Sequence, residues 1–117
     1  MPSKNPAQRL RDIIDNIDAI RAFTAGMSLA DFASDRKTIY AVTRALEIIS
    51  EASRRLPEEL QLRHPEIDWP AVAAAGNIYR HEYEVVDEAL VWHTIQHGLS
   101  DLLEASAVEL RRHAGSE

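Results

Sequence analysis

Apolar residues recur at steps of three and four along most of this chain, and that spacing restricts it to helices. Leu10, Ile13, Ile14, Ile17, Ile20 and Phe23 form one stripe. Ile39, Val42, Ala45, Leu46, Ile49 and Ala52 form a second, and Leu90, Val91, Ile95, Leu99, Leu102, Leu103 and Leu110 a third. Residues so spaced share one face of an α-helix, whereas a half-buried strand alternates at every second position. No segment alternates in that way. The punctuation agrees with the stripes. Asn5-Pro6 starts the first helix, and Gly26 ends it as a left-handed cap. Ser28 caps a short turn through Phe32, and Ser34 or Asp35 opens a helix running to about Leu56, before Pro57. Pro57 to Pro65 reads as a short helical turn and loop with a solvated, charged surface. Asp68 caps a third helix with Trp69 and Pro70 in its first turn. Asp87 caps the last, with Gly115 beyond its end. These pieces specify an all-α, up-and-down helical bundle of four to five helices.

A chain of 117 residues fits one domain, residues 1–117. At that length roughly two-thirds of the unfolded surface becomes buried, enough for a core. There is no cysteine, so a disulfide framework and a thiolate metal site are both excluded. No apolar run approaches the roughly 20 residues that span a bilayer. The start Met-Pro-Ser-Lys-Asn lacks an apolar signal core. A cytoplasmic protein with no membrane contact is expected. The net charge of −6 argues against general nucleic-acid binding, which depends on clustered Lys and Arg. Any RNA contact must then be local, and the acidic balance fits a basic protein partner or simple solubility.

Chemistry concentrates between Gly76 and Tyr83, in Gly-Asn-Ile-Tyr-Arg-His-Glu-Tyr. On a helix Asn77 and His81 lie one above the other, and Arg80 and Tyr83 share a neighbouring face. His81 can take and give a proton near neutral pH. Arg80 offers a planar fork that fits a phosphate. Asn77 can orient the imidazole or donate to a substrate oxygen. A base, a charge clamp and a donor suit attack of a ribose 2′-hydroxyl on its own phosphate, with no metal or cofactor needed. The same residues also admit a structural reading, in which Arg80 pairs with Glu84 across one turn.

The segment resembles the signature of HEPN-domain proteins, in particular the HepT-like ribonuclease toxins of bacterial toxin–antitoxin pairs. Their pattern is Arg-Asn, three variable residues, then His-x-Tyr. Asn77, His81 and Tyr83 fall on the Asn, His and Tyr, while Gly76 takes the place of the Arg. Arg80 is either a displaced substitute or a mark of a degenerate site. The resemblance extends along Ile17 to Gly26, Phe32-x-x-Asp35 and Thr38-x-x-Ala41-Val42-x-Arg44. It continues through Leu46-Glu47-Ile48-Ile49-x-Glu51-Ala52, Val86-Asp87 and Val91-Trp92. It implies a homodimer whose two motifs line one cleft, a nucleotidyltransferase antitoxin as partner, and Tyr83 as the residue that partner adenylylates. It leaves two functions open: a metal-independent endoribonuclease toxin, or a catalytically degenerate HEPN partner that dimerises and binds, or is adenylylated by, the nucleotidyltransferase.

Three further features complete the inventory. Arg44, Glu47 and Glu51 recur at steps of three and four on the second long helix. There Arg44 and Glu47 form a solvated ion pair or, if Arg44 faces the motif, Arg44 replaces the missing arginine. The small residues Val72-Ala73-Ala74-Ala75-Gly76 permit close approach, either between two copies of the chain or within one bundle. His93 and His97 have the spacing of two metal ligands, but no third ligand is indicated, and a surface or interface role is the expectation. His64 and His113, in loop and tail, receive no role.

Overall fold

The structure is a computed structural model and describes residues 5–76 and 88–114. All regular structure among them is helical. In chain order the helices are α1 (Ala7–Thr24), α2 (Leu29–Ser34), α3 (Arg36–Arg54), α4 (Glu58–Leu62), α5 (Trp69–Ala75), α6 (Glu88–His97) and α7 (Leu99–Ala114).

A helix leaves its first amides without intrahelical partners, and most of the starts here supply one from a side chain. The Asn5 Oδ1 accepts from the Ala7 N–H at 2.9 Å. Ser28 and Asp31 close a reciprocal box, with bonds of 3.1 and 3.0 Å. Asp35, rather than Ser34, opens α3: its carboxylate accepts from the Thr38 hydroxyl at 2.8 Å and from the Thr38 N–H at 3.4 Å. Those bonds lower the pKa of Asp35. Gly26 has φ +75°, as a left-handed end to α1 requires.

Leu10, Ile13, Ile17 and Ile20 of α1 pack against Val42, Leu46 and Ile49 of α3 and Leu102 of α7 in one core. α1 thus lies along both α3 and α7, α5 lies along α3, and α2 joins α3 to α6. Phe32 is fully buried, with its ring centroid 5.4 Å from that of Trp92. No described helix is long and apolar enough to cross a membrane.

The stripes need two corrections. Phe23 is 44% exposed, because the core face of α1 ends at Ile20, one turn before the helix does. The expected single last helix is two, α6 and α7, broken at Gly98. Its N–H bonds back to the Thr94 carbonyl at 2.8 Å. This break, and the resolution of the short connectors into α2 and α4, takes the described helices to seven, against the four to five expected. Asp87 and Gly115, expected at the ends of the last helix, lie outside the described residues.

Candidate functional site

Asn77, Arg80, His81 and Tyr83 lie outside the described residues, so the site is built here from its supports. The chain enters it from α5. Asp68 caps α5 by accepting from the Ala71 N–H at 3.1 Å, and Pro70 stands where a helix needs no donor. α5 buries no side chain fully. Its backbone is held instead. The Ser50 hydroxyl of α3 donates to the Val72 carbonyl at 2.8 Å and accepts from the Gly76 N–H at 2.8 Å. An Arg54 Nη2 donates to the Ala73 carbonyl. Because Ala73 meets Arg54 and Gly76 meets Ser50, α5 runs antiparallel to α3 and delivers the motif toward the turn of Arg44 and Glu47.

Gly76 is buried, and a Cβ there would stand 3.1 Å from the Glu47 Cα and 3.1 Å from the Ser50 Oγ. The small-residue run therefore makes a close contact within this chain. Arg44 and Glu47 do form an ion pair, at 3.4 Å, with the Arg44 side chain 71% exposed. Such a pair contributes under about 1 kcal/mol. Arg9, Asp12, Arg44, Glu47, Ile48 and Glu51 line a shallow recess of about 200 Å³ between α1 and α3. Glu51 is held by Arg55 at 2.9 Å and Arg54 at 3.3 Å, and the Arg55 hydrogen bond leads in lowering its pKa.

Residues 13–108 match the family described as Ribonuclease HepT-like. The chain belongs to the HepT-like ribonuclease family. A probable ribonuclease HepT of Thermococcus cleftensis is 40% identical over 93 residues, covering 80% of this chain and 84% of that protein. A protein of Methanocaldococcus jannaschii named as an RNase is 35% identical over 92 residues, 79% of this chain and 76% of its own. One of Caldanaerobacter subterraneus, also named as an RNase, is 31% identical over 99 residues, 85% and 88% of the two chains. No solved structure matches.

On the other side of α5 this HepT-like chain has a cavity of about 500 Å³. Leu46, Ile49, Val72, Leu99 and Leu102 make its walls, while Glu66, Asp68, Thr94, His97 and Asp101 rim it. Three carboxylates at the rim repel a phosphate, so the cavity suits an apolar group and not an RNA backbone. His93 and His97 stack on α6 with centroids 4.5 Å apart and are exposed. Among the described residues no three side chains are grouped to hold a metal ion.

The sequence reading missed a buried ionic cluster. Glu109 is 1% exposed on α7. Arg63 grips it through Nη2 at 2.6 Å and Nε at 3.2 Å, and the His64 Nε2 reaches it at 2.7 Å. Burial alone would raise the Glu109 pKa, but the hydrogen bonds and charges of Arg63 and His64 outweigh it and hold the carboxyl at about 2. The connector between α4 and α5 is therefore anchored to α7, not solvated, and His64 has a role. The one local hint was a Glu at position 109 on the same face as Leu102 and Ser106.

Proposed function

We propose that this chain is a metal-independent endoribonuclease toxin, acting in the cytoplasm and restrained by a nucleotidyltransferase antitoxin. The 2′-hydroxyl of the RNA attacks the adjacent phosphorus, a new O2′–P bond forms and the P–O5′ bond breaks. A 2′,3′-cyclic phosphate and a 5′-hydroxyl result. His81 takes the proton from the 2′-hydroxyl or returns one to the leaving oxygen. Arg80 offsets the charge that gathers on the phosphorane, and Asn77 orients the imidazole or a substrate oxygen. Tyr83 is the acceptor of the antitoxin's adenylyl group, which would block a cleft shared by two copies of the chain. The match of residues 13–108 to the HepT-like family carries this reading, because it takes in the whole Asn77–Tyr83 motif. The supports fit it. Arg44 stands one turn from the place where Gly76 rests on α3, and its weak pairing with Glu47 leaves it available to a phosphate.

A positioned acid or base contributes roughly 10²–10⁴-fold. His81→Ala should therefore reduce cleavage of a mixed-sequence RNA by about that factor in the presence of a chelator, with helical circular dichroism unchanged. Equal cleavage by wild type and variant sinks the nuclease reading.

One observation favours the degenerate-partner reading. The contact of Gly76 with the Glu47 Cα leaves no room for the family arginine at that position. Under it, neither Arg80→Ala nor Arg44→Ala changes any RNA, while the chain still binds, or accepts a nucleotide from, the nucleotidyltransferase.

A further inference from the structure

The cluster around Glu109 is used by none of the proposed chemistry, yet it sits at the root of the helix that carries the motif. His64 has a carboxylate at each ring nitrogen: Glu109 Oε2 lies 2.7 Å from Nε2, and Glu66 Oε1 lies 3.2 Å from Nδ1. A carboxylate only accepts, and a neutral imidazole carries a single N–H. Both contacts are hydrogen bonds only when the ring carries two protons. The surroundings point the same way. Glu66 of the connector and Glu109 of α7 face the ring, and Asp101 and Glu104 of α7 line the same recess. Against them stand Arg63, with Glu59 acting on it from α4, and His113, 3.8 Å from Glu109.

The position matters because the His64 carbonyl accepts from the Trp69 indole N–H at 3.2 Å and from the Ile67 N–H at 3.2 Å. Whatever moves His64 moves the first residue of α5.

We propose that His64 is a proton-operated latch: its imidazolium clamps the α4–α5 connector to α7, and losing a proton loosens the seat of α5. Histidine is the side chain that ordinarily changes charge between about pH 5 and 8, so the latch opens as pH rises through that range. Its acid limit is set by Glu109, far below. The proposal does not depend on RNA cleavage, and failure of the nuclease reading leaves it standing.

The test uses the full chain. Nitrogen NMR of the His64 ring should show two N–H protons at about pH 5.5. Exchange of the Trp69–Ala75 amides, corrected for intrinsic rates and referred to α1, should quicken about tenfold or more by about pH 8, as loss of a hydrogen bond to a charged group implies. Glu66→Gln is the diagnostic variant. Its exposed amide can donate to Nδ1, so a neutral ring is satisfied on both sides, and the response should fall below about threefold. A single N–H at the lower pH overturns the latch. So does α5 protection independent of pH in the wild type, or an undiminished response in Glu66→Gln.

Discussion

Both oxygens of Glu109 are engaged, and the sign of its contribution to stability follows from that. A carboxyl held at about 2, against an ordinary value of 4.5, stabilises the fold above the ordinary value. That stability is lost as pH falls from about 4.5 toward 2, and amounts to about 3 kcal/mol. Urea unfolding between about pH 5 and pH 2 should show this loss in the wild type and not in Glu109→Gln. The variant should start about 3–5 kcal/mol lower, because Arg63 and His64 lose their partner. Residues whose partners lie within one turn were legible in the sequence: Ser28 with Asp31, Asp35 with Thr38, Asp68 with Ala71. Glu109 was not, since its partners stand 45 and 46 positions away. Arg63 and His64, read alone, look like any surface pair.

Among the elements α5 is the most precariously held. Seven residues cannot sustain a helix alone, and its hold on α3 runs through backbone bonds to Ser50 and Arg54. Ser50→Ala removes one donor and one acceptor, and stranding the buried Gly76 N–H costs about 1–3 kcal/mol. Amides of α5 should then exchange about tenfold faster or more, while those of α1 keep their protection. An equal change in both helices would make Ser50 a general core residue. The long helices were readable because their stripes run over many turns. The break at Gly98 was not, because the apolar stripe passes straight through it from Ile95 to Leu99, and an isolated glycine is tolerated in a helix. For the candidate site, the motif could be read as chemistry, but Ser50 as its anchor could not. A buried serine on an apolar face carries no sign of its distant partners.

For the whole molecule, the fold encodes a narrow surface for RNA. A net charge of −6 leaves few places where a phosphate is welcome. The acidic rim of the larger cavity turns phosphates toward the Arg44 side. A cleft shared by two copies would double the arginines there. Light scattering at micromolar concentration should give about twice the 13.2 kDa chain mass. A monomer would remove the shared-cleft arrangement while leaving a single-chain site to be tested through His81.

The contact of Gly76 with the Glu47 Cα also bears on how such a chain can change over generations. Side chains around an intruding group can rotate or shorten, but an α-carbon has nothing to trim. Gly76→Arg on its own would lever α5 off α3 and break the Ser50 bonds with it. The arginine-bearing pattern is thus cut off from this sequence by more than a single-codon step. A lineage that once settled on glycine here would keep it and recruit its cation from elsewhere, which makes the closeness of two backbones a one-way ratchet on the motif.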